Sequence, residues 1–209
     1  MHMDRRQFVK NLGLGTASLS MGSLVTASSC APSGDSSLKQ NVKEGEDGQF
    51  LFIGDDIAIA QTEYGKVQGY LLNHVYTFLG VPYGADTSGK NRFMPPQKPE
   101  PWTDVRPAVF YGNTAPQRME NRWPNNYGTF ADHWNYWDVS EDCLYLNVWT
   151  PGIADGKKRP VLVWLHGGGF TNGSGIEQDG YHGENISREG NIVFCSINHR
   201  LGPIGFSVL

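Results

Sequence analysis

Cysteine, positive charge and long apolar runs are all scarce in this sequence of 209 residues. Its three cysteines, at positions 30, 143 and 195, lie too far apart for a metal cluster with close ligand spacing and do not indicate a disulfide framework. Seventeen basic residues against 21 acidic ones give a net charge of −4, and no basic stripe is present. That balance argues against nucleic acid as a partner.

What the sequence does contain is typical of a soluble globular protein. Apolar residues make up 39% and charged residues 18% of the chain. The 26 glycines and 12 prolines occur together with ten Phe, nine Tyr and six Trp, so they indicate many turns rather than disorder. At this length a single domain is expected, and no internal repeat is visible.

The N-terminus has the order of an export signal. Arg5 and Arg6 precede a weakly apolar stretch, 12–25, that is rich in Gly, Ser and Ala and too short and polar to remain as a membrane-spanning helix. The arginine pair favours the twin-arginine route, so residues 1–30 are expected to direct export. The protein would then be periplasmic, anchored by lipid at the cell surface, or secreted.

Two endings of this signal are open. Small residues before Cys30 are typical of lipid attachment at that cysteine, although Ala27 stands where a leucine is usual. The alternative is cleavage after Ala27. A lipid at Cys30 would be the one membrane attachment we expect. Residues 31–55, which are polar and charged as far as residue 49, would form a flexible tether to the domain at 56–209.

Five apolar residues, Val161–Leu165, are followed at once by His166 and then by three glycines, 167–169. The apolar run predicts a central strand buried on both faces, as in a parallel sheet. Because glycine has no side chain, backbone N–H groups in the following turn can point into open space. Two such donors can hold the negative oxygen that forms when an ester carbonyl is attacked.

The remaining pattern predicts a mixed α/β sheet with an antiparallel edge. A short helix is expected over His182–Glu189, ended by Gly190. Short strands are expected over 57–62 and 66–70 as a hairpin, and over 71–78, 143–150 and 192–197.

Several sequence blocks, in this order, resemble the type B carboxylesterase family, the cholinesterase-like branch of the α/β-hydrolases. They are Glu63–Gly69, Phe78–Gly84, Arg92–Pro96, Glu141–Trp149, the glycine loop and Asn198–Phe206. The resemblance covers residues 57–209. It implies the N-terminal part of an α/β-hydrolase fold, with antiparallel N-terminal strands.

By this resemblance Gly168 and Gly169 supply two oxyanion-hole N–H groups to a serine esterase that acts on small carboxylic esters without metal or organic cofactor. The serine, acid and histidine of the triad would lie beyond residue 209, and no Gly-x-Ser-x-Gly occurs in the chain. We therefore expect the N-terminal part of a longer enzyme, truncated before the nucleophile elbow and inactive by itself. The alternatives are a non-catalytic interaction protein on the same scaffold and a truncated gene remnant.

The resemblance also implies roles outside the loop. Arg92 and Glu141 are expected to form a buried structural ion pair, and Cys143, which relatives bridge to an upstream cysteine, is expected to be a free thiol. Trp134 belongs to an aromatic-rich stretch that could line the substrate pocket or simply pack a loop onto the core.

Three further residues resemble catalytic groups but are not expected to be catalytic. His166 and His199 follow predicted strands inside blocks that do not supply the base, so we expect them to orient loops. Ser174 lacks the flanking glycines and the strand-to-helix setting of a nucleophile, so we expect a turn residue.

Overall fold

The structure, a computed structural model, describes residues 50–117 and 138–207. Nine strands and two α-helices are present in these ranges. The strands are β1 (Leu51–Phe52), β2 (Ile59–Gln61), β3 (Lys66–Gln68), β4 (Tyr70–Leu72), β5 (Val75–Pro82), β6 (Arg106–Pro107), β7 (Tyr145–Thr150), β8 (Val161–Trp164) and β9 (Val193–Ile197). The helices are α1 (Glu184–Gly190) and α2 (Gly202–Phe206), and short 3₁₀ turns occur at Gly89–Asn91 and Asp179–Tyr181.

Six strands form one mixed sheet in the order β1-β4-β5-β7-β9-β8, and β2, β3 and β6 form a smaller sheet. Every neighbouring pair in the larger sheet is antiparallel except β8 and β9, which run parallel with Val161 opposite Val193. This confirms the mixed α/β sheet with antiparallel N-terminal strands. The parallel pair brings the carboxyl ends of β8 and β9 side by side, and the glycine loop follows the first of them.

One predicted strand is divided between two strands, β4 and β5, in the structure. The expected strand over 71–78 is broken by a turn at Asn73 and His74, where the backbone has φ of +48° and +66°. These positive φ values are typical of a type I′ hairpin, and β4 and β5 pair antiparallel across the turn. The prediction was wrong here because the turn contains neither Gly nor Pro.

The predicted helix is present as α1, and it is fixed to the sheet from its inner face. The buried Ser187 hydroxyl donates a 3.0 Å hydrogen bond to the Trp149 carbonyl of β7. Asn191, with φ of +47°, ends the helix one residue beyond Gly190. No helix of the described residues is long and apolar enough to cross a membrane.

The expected central, doubly buried position of β8 is wrong. β8 is the last strand of the described sheet, and its side chains are exposed: Val161 by 65%, Val163 by 55% and Leu162 by 40%. An apolar run shows which residues favour burial, but burial itself requires elements packed on both faces. Among the described residues, β8 pairs with β9 alone, so the run forms an open apolar edge.

Candidate active site

The glycine loop leaves β8 through Leu165 and His166, and its backbone takes conformations that favour glycine. Gly168 has φ of +118° and Gly169 has φ of +59°. A Cβ atom on Gly168 would collide with the Asn172 backbone carbonyl, whereas one on Gly169 would have no atom within 4 Å. Gly168 is therefore required by the fold of the loop itself, and Gly169 by its left-handed backbone.

Two consecutive peptide planes of the loop are held by their carbonyl sides. The Gly167 carbonyl accepts a hydrogen bond from His166 Nδ1 at 2.8 Å. The Gly168 carbonyl accepts from the Thr171 N–H at 3.1 Å, the Thr171 hydroxyl at 3.0 Å and the Asn172 N–H at 3.2 Å. In a planar trans peptide the next residue's N–H points opposite to the carbonyl. The directions of the Gly168 and Gly169 N–H groups are therefore fixed.

Within residues 50–117 and 138–207, neither of these two N–H groups donates a hydrogen bond to the protein. The loop also borders a cavity of about 560 Å³, at the ends of β8 and β9. Most of its wall is apolar, and two histidines and one arginine add polar groups. The lining side chains are Tyr83, Pro96, Leu144, Leu165, His166, Phe170, Ile197, His199, Arg200, Leu201 and Phe206. Gly169 is part of the cavity wall, and Gly168 precedes it in the loop without lining the cavity itself. Fixed donors that have no partner in the described residues can bind an anionic oxygen at such a place.

Hydrogen bonds link the cavity wall to neighbouring segments. The Tyr83 hydroxyl donates a 2.7 Å hydrogen bond to the Asn198 carbonyl, and burial raises the pKa of Tyr83. Arg200 Nη1 donates to the Met94 carbonyl at 2.9 Å. The Asn198 side chain is 3% exposed and joins two loops. Its Oδ1 accepts from the Gly175 N–H at 2.8 Å, and its Nδ2 donates to the Asn113 carbonyl at 3.0 Å.

The two candidate histidines lie against each other. The rings of His166 and His199 stack face to face, with centroids 4.5 Å apart and planes only 3° apart. His166 is 8% exposed, and each Nδ1 lies close to the carbonyl of the residue that follows it, Gly167 or Arg200. Both therefore contact the ends of strands and the loop, as the loop-orienting interpretation requires.

Ser174 lies in a turn below the loop and is 1% exposed. Its N–H donates to Glu177 Oε2 at 3.2 Å, and its Oγ accepts from the Ile176 N–H at 3.2 Å. A hydroxyl held in this way closes a local turn, and it is not presented to a substrate.

Gln117, which the sequence did not indicate as a site residue, forms two hydrogen bonds with the turn after the loop. Its Oε1 accepts from the Gly173 N–H at 2.8 Å, and its Nε2 donates to the Gly173 carbonyl at 2.9 Å. A Cβ on Gly173 would collide with the His166 ring and the Gly167 carbonyl. No sequence signal reveals these two hydrogen bonds, because Gln117 lies 56 residues before Gly173.

Arg92 and Glu141 do form an ion pair, with Arg92 Nε 2.8 Å from Glu141 Oε2. The Arg92 side chain is 49% exposed and that of Glu141 19%, so the expected burial of the pair is wrong. The Glu141 hydrogen bond raises the pKa of Arg92. The nearby Thr87 hydroxyl donates to the Glu141 carbonyl, so the backbone at Glu141 has a partner that is independent of the ion pair.

The two described cysteines are free thiols in buried positions. Burial raises the pKa of Cys143 to about 12 and that of Cys195 to about 11, so both are neutral near pH 7. Two other predicted residues, Trp134 and Cys30, lie outside the described residues.

Comparison with known proteins finds related sequences. Residues 56–209 match the model of the carboxylesterase family. The chain is 44% identical over 148 residues to phenmedipham hydrolase of Pseudarthrobacter oxydans and 39% identical over 151 residues to para-nitrobenzyl esterase of Bacillus subtilis, with 71% of this chain aligned in each case. It spans 29% and 28% of those relatives' lengths.

Solved structures give the same result for the fold. An esterase from Clostridium hathewayi, described as able to hydrolyse aliphatic aromatic polyesters, superposes with a TM-score of 0.69 at 37% identity. That superposition covers 77% of this chain and 30% of the esterase. Together with the family match across 56–209, it shows the α/β-hydrolase fold in part. The chain belongs to the carboxylesterase family.

Proposed function

We propose that this chain supplies the oxyanion-binding part of a serine esterase that hydrolyses small carboxylic esters. One observation carries the proposal: two successive peptide planes are held through their carbonyls, which leaves the N–H groups of Gly168 and Gly169 unpaired within the described residues. The family relationship supports the reaction class, because the relatives named above include hydrolases of esters.

In the proposed reaction a serine supplied from outside this sequence attacks the ester carbonyl. The carbonyl oxygen then gains negative charge, and the two glycine N–H groups stabilise it. Each donor contributes about 3–4 kcal/mol to the transition state in a complete site. The tetrahedral intermediate then collapses, the ester C–O bond breaks and the alcohol leaves as it takes up a proton, which gives an acyl-enzyme. Water attacks this acyl-enzyme and releases the acid and the serine. Because the sequence contains no Gly-x-Ser-x-Gly, the 209 residues alone would not turn over esters by this route.

A chimera tests the proposal. Residues 56–209 replace the matching segment of the Bacillus subtilis para-nitrobenzyl esterase, which provides the remainder of the enzyme. We expect the chimera to hydrolyse a para-nitrobenzyl ester. A Gly169→Ala change keeps the backbone N–H but adds a Cβ to a residue that lines the cavity, where it would displace the ester carbonyl from the donors. We expect it to lower kcat about 100-fold, the loss that a displacement of about 1 Å can cause.

Gly89→Ala is the matched control. Gly89 has φ of +56°, and a Cβ added there would have no atom within 4 Å, so the change carries the same backbone strain as Gly169→Ala but lies outside the cavity wall. A chimera that unfolds cooperatively and hydrolyses the ester equally well with and without Gly169→Ala would contradict the proposal. Reading the gene beyond codon 209 for a Gly-x-Ser-x-Gly tests it independently of chimera folding.

We further propose that residues 1–30 export the protein and that Cys30 carries a lipid. The paired Arg5 and Arg6 and the small residues before Cys30 support this. Residues 1–55 fused to a reporter should be exported, and radiolabelled palmitate should label the fusion. Loss of label in Cys30→Ser is expected. Export with cleavage after Ala27 and no label would support the alternative ending.

A further inference from the structure

We propose that His199 is a positioning residue for the glycine loop: its ring holds the His166 ring, and through it the direction of the Gly168 N–H group. The catalytic meaning of this inference rests on the proposed function. Its structural content can be tested without any activity.

The rings of His166 and His199 are nearly parallel, 3° apart, at a centroid separation of 4.5 Å. The two residues follow neighbouring parallel strands, β8 and β9, so the sheet itself places them together. One face of the buried His166 ring is therefore occupied by His199, which limits its rotation about χ2.

The His166 ring carries a proton on Nδ1. Its Nδ1 lies 2.8 Å from the Gly167 carbonyl oxygen. A carbonyl can only accept, so Nδ1 carries the proton and donates it. The Gly173 backbone lies against the same edge of the ring, because a Cβ on Gly173 would meet both Nδ1 and Cε1. The ring orientation and the hydrogen bond therefore depend on each other.

The hydrogen bond from His166 fixes the peptide plane that joins Gly167 to Gly168. When His166 holds the carbonyl of this plane, the Gly168 N–H on its opposite side has one direction. If the His166 ring turned, the hydrogen bond would break and the plane could rotate, since glycine offers little resistance to rotation. A displacement of about 1 Å in a catalytic group can cost about 100-fold in rate.

A second set of contacts joins the same two segments. The Gly202 N–H donates to the Phe170 carbonyl at 2.7 Å, and the Phe206 ring lies 4.7 Å from that of Phe170. Phe206 also meets His199 edge-on, with centroids 5.9 Å apart and planes at 89°. His199 is thus held between two aromatic rings, so the stack has a fixed partner.

Two substitutions separate the planar ring from its polar atom. His199→Phe keeps a flat aromatic face but loses the Nδ1 contact, 2.9 Å long, with the Arg200 carbonyl. His199→Asn keeps a side-chain donor of similar reach but loses the ring. If the stack positions the loop, Phe preserves the wild-type behaviour and Asn does not.

The experiment reads the Gly168 and Gly169 amide resonances in the ¹⁵N-glycine-labelled 209-residue chain, kept at low concentration to limit pairing through the open β8 edge, and kcat and KM in the chimera. We expect His199→Asn to move the Gly168 amide resonance and to lower kcat about 100-fold with little change in KM, and His199→Phe to restore both. Unfolding midpoints for each variant show whether the chain remains folded.

Two outcomes would overturn the inference. One is a folded His199→Asn variant with an unmoved Gly168 resonance. The other is a folded His199→Phe variant that perturbs this resonance as much as Asn does, because the polar contact would then be the important one. If the wild-type chimera is inactive while the resonances behave as expected, the proposed function fails and the positioning role stands.

Discussion

The backbone N–H of Gly202 donates a 2.7 Å hydrogen bond to the carbonyl of Phe170, the residue that directly follows the three glycines. Phe170 has φ of +63°, which is uncommon for a residue with a side chain. This hydrogen bond holds that conformation and ties the end of the loop to the start of α2. The loop is therefore fixed at both ends, by His166 before the glycines and by Gly202 after them.

The two candidate donor glycines should differ sharply in their tolerance of alanine. Gly168→Ala places a Cβ against the Asn172 carbonyl at a φ of +118°, and we expect it to cost about 3 kcal/mol of unfolding free energy. Gly169→Ala meets no neighbour and carries only left-handed strain, about 1–2 kcal/mol. Urea unfolding of the two variants measures the difference, and equal losses would contradict it.

Substitution of Asn198 should destabilise the fold. Asn198→Ala leaves the Gly175 N–H and the Asn113 carbonyl without their buried partner, and we expect a loss of about 2–4 kcal/mol. Gln61→Ala is the control, since Gln61 is exposed and, among the described residues, its side chain bonds only the neighbouring Thr62 carbonyl. That change should lie within about 0.5 kcal/mol. Similar denaturation midpoints for the two variants would show that Asn198 is not a structural junction.

Stability should fall in alkaline solution. The pKa of Cys143 is raised from 9.0 to about 12, mainly by burial, and that of Tyr145 from 10.0 to about 12. The unfolded chain releases these protons first, so unfolding becomes more favourable as pH rises from about 9 towards 12. The stabilising contribution is complete below the unfolded pKa values. Urea unfolding at pH 8 and pH 11 measures the change, and Cys143→Ala should reduce the slope between them.

The Arg92–Glu141 ion pair should contribute little to stability. Half of the Arg92 side chain is exposed, so water and salt screen the attraction. We expect Arg92→Gln to leave the urea midpoint nearly unchanged in low salt and unchanged in 1 M NaCl. A large loss of stability that persists in high salt would indicate a buried pair and contradict the observed exposure.

Local patterns predicted most elements of the fold. The hairpin of β2 and β3, the strands β7 and β9 and the helix α1 follow from alternation, apolar runs and turn residues close in sequence. The break between β4 and β5 was missed because Asn73 and His74 take positive φ without a glycine. Such a turn depends on the pairing of its flanking strands, which lies beyond the turn residues themselves.

The sequence indicated the glycines of the candidate site and loop-orienting roles for His166 and His199, but not the contacts that hold them. The reason why Gly168 must be glycine is the nearby Asn172 carbonyl, and the turn that follows is held by Gln117 from a distant segment. The stack of His166 on His199 arises from the parallel register of β8 and β9. Contacts of this kind depend on which strands become neighbours, and a single sequence does not state this.

The open apolar edge at β8 has a consequence for work with the purified polypeptide. Within residues 50–117 and 138–207, Val161 and Val163 present apolar side chains on a strand that has a neighbour on one side only, which is the arrangement that recruits a strand from another molecule. Solutions of the 209-residue chain should therefore cloud as protein concentration rises. A Val163→Lys change would disfavour pairing with a strand of another molecule, and it would raise the protein concentration at which aggregation begins.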